Sequence, residues 1–228
     1  MKRTNRLIAA AMAGLMASTS LGALAANAQA ADATAQQKAP EKAAYTTQKQ
    51  LLKTADEALE TVTNVHQARM ALFEDETDLA QKHIGAAIKA LTAGETDLKQ
   101  LLIADTDKRD AKPEYLPFDM SMMLTDRFEA TAEKKAALEK AGGLMKSGEQ
   151  DAAIEVLRLA SVDLDISAAL LPQDVSMTHL KAAADMVKSG RYFEANRELK
   201  ALEDSIVVRT FGIDAIPVQG DAAKTSAG

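Results

Sequence analysis

The stretch Asp185-Met186-Val187-Lys188-Ser189-Gly190-Arg191-Tyr192-Phe193-Glu194-Ala195-Asn196-Arg197-Glu198-Leu199-Lys200-Ala201-Leu202 reads as one helix, a stop and a second helix. Glycine lacks a Cβ, so Gly190 can take the left-handed conformation that ends a helix. Beyond it, Ala195, Leu199 and Leu202 recur at helical spacing and form one stripe. The same phrase occurs twice upstream. Gly148, after Lys146-Ser147, is followed at the same offsets by Ala153, Leu157 and Ala160, and Asp75 by Ala80, Ile84 and Ala87. Three helical hairpins with related turns are therefore expected.

The turns are similar to those of tetratricopeptide-type hairpins, but the larger motif of those repeats is missing. In the first hairpin, a helix from about Gln48 to Phe73 carries Leu52, Ala55, Leu59, Val62, His66, Met70 and Phe73 at three- and four-residue steps. Its turn is Glu74-Asp75-Glu76-Thr77-Asp78, and the next helix aligns Ala80, Ile84, Ala87, Leu91, Leu98 and Leu101. The second hairpin is expected to begin at Asp126, with Asp as cap and Glu129 at the third helical position. Alanine is abundant, aromatics are 4% and Trp is absent, which favours closely packed helices over a β-sandwich.

An extended-looking stretch follows each hairpin: Tyr115 to Met120, Val162 to Ser167, and Ile206 to Phe211. The second alternates apolar and polar residues, the period of a half-buried strand. The fold class expected is mainly α: packed helical hairpins, like an up-down bundle, with short extended segments forming a small sheet. Pro117, Pro172 and Pro217 argue for short edge pieces. Ala104 to Thr125 is the longest break between helices and is expected to be mobile.

At the start of the chain, Lys2, Arg3 and Arg6 precede an uncharged Leu7 to Leu24 and the small residues Ala26-Asn27-Ala28-Gln29-Ala30. This is the layout of a cleaved secretory signal over residues 1–30. A flexible leader over 31–47, a helical domain over 48–218 and a frayed tail over 219–228 complete the expected organisation. Removing three basic residues with the signal leaves 24 against 33 acids, or −9, compared with −6 for the whole chain. That charge disfavours nucleic acid and anionic lipid as partners. No later segment is long and apolar enough to insert in a membrane. Without Cys, disulfides and lipidation of an N-terminal Cys are excluded.

Candidate chemistry is sparse. His66, with Arg69 one turn on, is either a pH sensor or a packed structural histidine. Tyr115, Phe118, Met120, Met122 and Met123 lie in the long break and could form an adaptable contact loop. Three nearby thioethers could also hold Cu(I), although no Cys or His stands beside them. Glu74, Asp75, Glu76 and Asp78 lack the spacing of a calcium loop and suit a helix N-terminus better. Asp163 and Asp165 could form a carboxylate pair, but strand alternation would put them on a solvated side. No nucleophile elbow, zinc-protease helix or phosphate loop is present, so no catalytic residue, cofactor or metal is assigned.

An ordered set of fragments resembles the YfdX family of exported bacterial proteins. It comprises Val65-His66, Ala68-Arg69 and Ala71-Leu72-Phe73, then Ala80 and Ile84 to Leu91, then Tyr115-Leu116-Pro117-Phe118-Asp119. Asp163-Leu164-Asp165-Ile166, Leu170-Leu171-Pro172, and Gly190 with Ala195-Asn196 and Leu199 complete it. The resemblance spans Gln48 to Val218. It implies a periplasmic, mainly helical protein associated with acid and heat stress, and carries over no catalytic residues. The expected function is non-enzymatic protection by binding protein partners or unfolding clients, with homo-oligomers plausible for exposed helical faces. The alternatives are a regulatory or sensor partner of another envelope protein, or a small-ligand or metal binder.

Overall fold

The computed structural model describes residues 47–93, 95–104 and 114–220. Their elements run β1 (Thr47–Gln48), α1 (Asp56–Phe73), α2 (Thr77–Thr92), α3 (Glu95–Lys99), β2 (Ile103–Ala104) and β3 (Glu114–Leu124). They continue with α4 (Ala132–Lys146), α5 (Gln150–Leu159), β4 (Leu164–Pro172), α6 (Gln173–Lys188), α7 (Tyr192–Asp204), β5 (Val207–Gly212) and β6 (Ile216–Pro217). The fold is mainly helical with a small antiparallel sheet, as expected. The expected signal over 1–30 lies outside the described residues, as does nearly all of the leader.

The three hairpin turns share one backbone solution. Asp75, Gly148 and Gly190 have φ of 61°, 83° and 73°. The N–H of the residue after each donates to a carbonyl five residues back: Glu76 to Ala71 at 2.8 Å, Glu149 to Leu144 at 2.8 Å, Arg191 to Met186 at 2.9 Å. This closes the orphan carbonyls at the helix end. The alanine five residues after each turn, Ala80, Ala153 and Ala195, is fully buried. A small side chain there lets the returning helix approach its partner closely.

The hairpins do not stack as one bundle. α1–α2 and α6–α7 form a four-helix bundle, while α4–α5 lies against the sheet. The sheet has order β2-β3-β4-β5, all antiparallel. It separates two cores. On one face, Ile166, Ala168 and Leu170 of β4 meet Ala141, Ile154 and Leu157 of the α4–α5 hairpin. On the other, Leu116 and Leu171 meet Val65, Ile84, Leu180, Leu199 and Leu202 of the bundle.

A bulge lets β3 serve both cores. Pro117 pairs with Leu170 and Asp119 with Ala169, so Phe118 is the extra residue. Before the bulge Leu116 points to the bundle; after it Met120 and Met122 point to the α4–α5 side. The carbonyl of Pro117 accepts the N–H of Ala55 at 2.7 Å, which pins the start of α1 to the bulge.

Several boundaries differ from the sequence reading. α1 begins at Asp56, and Leu51 and Leu52, which precede it outside any helix, are buried in the α4–α5 core. α2 ends at Thr92, leaving Leu98 in α3 and Leu101 beyond it. α4 begins at Ala132, where the Thr131 hydroxyl accepts the Lys134 N–H at 3.2 Å, so the cap is Thr131 and not Asp126. The expected mobile break contains 105–113, which are outside the described residues, and β3, an eleven-residue strand. β4 is nine residues long and central, so it is no short piece, whereas Pro117 of β3 and Pro172 of β4 each have a partner strand on one side only. Of the expected tail, 221–228 lie outside the described residues, and the Gln219 side chain donates to the carbonyls of Leu101 at 2.7 Å and Lys53 at 2.9 Å.

Candidate functional site

The buried stripe of α1 is Ala58, Thr61, Val65, Ala68 and Ala71, not the stripe of larger residues that the spacing selects. Alanines permit the close crossing with α2, and the larger side chains turn outward as a result. His66 is therefore 70% exposed and does not lie on a packed apolar face. Met70 and Phe73, one and two turns further on, are exposed as well.

Arg69 faces α7. Its Nε donates to Asn196 Oδ1 at 3.0 Å, and its guanidinium pairs with Glu203. His66 Nδ1 lies 3.7 Å from the same Glu203 carboxylate. This seam holds α1 and α7 antiparallel. His179 on α6 meets Glu198 on α7 at 2.7 Å, and His83 on α2 meets Asn64 on α1 at 2.9 Å. All three histidines thus bridge helix seams, whereas the sequence pattern singles out His66 alone.

Antiparallel pairing brings the α1–α2 turn and the α6–α7 turn to one end of the bundle. That end exposes Met70, Phe73, Leu79, Tyr192 and Phe193. Phe73 is 85% and Phe193 74% exposed, unusual for phenylalanine on a helix. Around them stand Glu74, Asp75, Glu76 and Asp78, none of which makes an ion pair or side-chain hydrogen bond among the described residues. The basic residues of the neighbouring turn are engaged: Lys188 with Asp185 at 3.7 Å, Arg191 with Glu194 at 3.3 Å. A hydrogen bond from its own main-chain N–H, then Arg191, holds the Glu194 carboxyl below its ordinary value.

The residues expected in a contact loop are in β3 and are divided by strand alternation. Tyr115 is buried with Arg209 over its ring at 4.9 Å, and Phe118 packs toward the bundle. Met120 and Met122 pack on the α4–α5 side, whereas Met123 points to the open face of the sheet. The three sulfurs are not presented together as a metal site would require. Asp163 pairs with Lys134 at 3.3 Å and precedes β4, so it forms no strand pair with Asp165. A cleft of about 240 Å³ lies between Leu91, Lys99, Leu102, Glu114, Asp174 and Met177. Among the described residues no group of three or more His, Cys, Asp and Glu is placed to hold a metal ion, and no helix is long and apolar enough to cross a membrane.

Comparison with known proteins gives a consistent answer. The chain is 29% identical over 154 residues to Protein YfdX of Escherichia coli (strain K12), covering 68% of this chain and 73% of that protein. A solved structure of Salmonella Typhi YfdX matches with TM-score 0.58 at 25% identity, over 74% of this chain and 97% of that one. The family model described as YfdX protein matches residues 61–212, from the first turns of α1 through the last strand of the four-stranded sheet, and the chain belongs to the YfdX family.

Proposed function

We propose that this protein is a periplasmic, non-enzymatic stress-protection factor that binds other proteins, in the manner of a chaperone. The observation that carries the reading is the exposed apolar end of the four-helix bundle, where Phe73 and Phe193 stand in solvent. Large exposed apolar groups rimmed by polar ones mark protein-interaction surfaces on soluble proteins. The seam residues His66, Arg69, Asn196 and Glu203 serve it by fixing α1 against α7 so that both turns present at the same end. Export is supported by the basic, apolar and small-residue succession of the first thirty residues.

The test is suppression of aggregation. Purified protein at stoichiometric ratio should reduce heat- or acid-induced light scattering by a model client; no reduction sinks the client-binding version. A dedicated regulatory partner would instead be recovered as a stable stoichiometric complex from envelopes. The cleft beside Lys99 and Glu114 gives a small-ligand role less support, since ligand sites usually offer ~300 Å³ or more.

A further inference from the structure

We propose that the turn end of the four-helix bundle docks a cationic amphipathic protein segment, with Phe73 and Phe193 as apolar anchors and Glu74, Asp75, Glu76 and Asp78 as counter-charges. This rests on the protein-binding reading above and names its surface and its class of partner.

The apolar half of the argument is placement. The start of α1 is tied to β3 through the Ala55 N–H on the Pro117 carbonyl, and α6 follows directly on β4. Both helices therefore run away from the sheet and the α1–α2 and α6–α7 turns share its far end, with Phe73 closing α1 and Phe193 in the first turn of α7. Two of the chain's five phenylalanines thus stand in solvent at one place, although the cores are built almost wholly of Ala, Leu, Ile and Val. Aromatic side chains give large contact area with few rotatable bonds, and they dominate interface energetics.

The charge half selects the occupant. Four carboxylates crowd five consecutive positions, and none is neutralised within the described structure. Their basic neighbours, Lys188 and Arg191, are occupied by Asp185 and Glu194. A second copy docking symmetrically through this end would bring two such acidic runs together, which like-charge repulsion opposes. An anionic bilayer is opposed for the same reason. A segment carrying Lys or Arg along one side and large apolar residues along the other satisfies both features. A helix laid across the two turns presents this pattern at its ordinary three- and four-residue spacing.

The experiment uses the mature protein and a fluorescently labelled synthetic helix of leucine and lysine, with a leucine–glutamate helix of the same pattern as control. The lysine peptide should bind saturably and more weakly as salt rises. Affinity should fall at least about tenfold in Phe73→Ser/Phe193→Ser and in Glu74→Gln/Asp75→Asn/Glu76→Gln/Asp78→Asn. Unchanged far-ultraviolet dichroism and melting would show that both variants fold; should either fail to fold, Phe193→Ser alone takes its place. Absence of binding, equal affinity for the glutamate peptide, or unaltered binding by the phenylalanine variant would each overturn the proposal. So would a wild-type dimer that dissociates on the phenylalanine substitutions while no peptide binds. Client protection that survives in the phenylalanine variant overturns this site and leaves the broader protein-binding reading standing.

Discussion

Arg69 and Glu203 join α1 to α7 across a seam where both side chains are mostly shielded, with Asn196 taking a second guanidinium N–H at 3.0 Å. Disrupting a partly buried pair of this kind is most destabilising when only one member is removed, because the other keeps its charge and loses its partner. Arg69→Met should therefore cost about 2 kcal/mol in denaturant unfolding. Glu203→Met should cost a similar amount, and the double variant should cost less than the sum. A strictly additive double-mutant cycle would show that the pair contributes nothing to holding the seam.

The same substitution should act with opposite sign at two glycines. Gly190 sits at φ 73° in the α6–α7 turn, where an added Cβ meets no neighbour but the backbone conformation itself is unfavourable. Gly190→Ala should cost about 1–2 kcal/mol. Gly143 lies inside α4 with open space around its Cα. Gly143→Ala should stabilise by about 0.5–1 kcal/mol through helix propensity and the loss of unfolded-chain freedom. Calorimetric melting of the two variants checks both signs at once.

These turns are the most legible part of the molecule, because a left-handed residue leaves a compositional mark: Gly148 and Gly190 announce it, and Asp75 is recognisable beside them. β4 and β5 are legible through alternation and β-branching. The rotation of α1 is not. Apolar periodicity weights Leu59, Met70 and Phe73 above Ala58, Ala68 and Ala71, whereas close helix packing selects the alanines. The same weighting hides the candidate site, since it puts Phe73 in the interior and gives Phe193 no distinction. The bulge at Phe118 is equally silent. It leaves no residue signature, yet it decides which methionines of β3 face inward.

Ser176 is fully buried on the inner face of α6, and its hydroxyl has no hydrogen-bond partner among the described residues. Thr61, another buried polar side chain, differs: its hydroxyl donates to the Glu57 carbonyl at 2.8 Å. Burying an unsatisfied hydroxyl costs about 1–3 kcal/mol, and alanine removes it while leaving only a small void. Ser176→Ala should raise the denaturation midpoint with an unchanged m-value. A lowered midpoint would mean that the hydroxyl makes a contact worth more than its desolvation.

Met122 and Met123 are neighbours in sequence and opposite in environment. Met122 pairs with Ile166 and packs on the α4–α5 core, while Met123 pairs with Asp165 and is 67% exposed on the open face of the sheet. Sulfoxide formation follows exposure, and a sulfoxide is tolerated only where no apolar packing is lost. Mild peroxide should therefore oxidise Met123 well before Met122, as read by mass spectrometry of proteolytic fragments, with little change in melting. Met122→Thr should destabilise by about 1–3 kcal/mol, while Met123→Thr should lie within about 0.5 kcal/mol of the parent, because only the first places a hydroxyl against the core. Oxidation of Met122 ahead of Met123 would place β3 one residue out of this register on β4, since such a slip exchanges the faces of the two side chains.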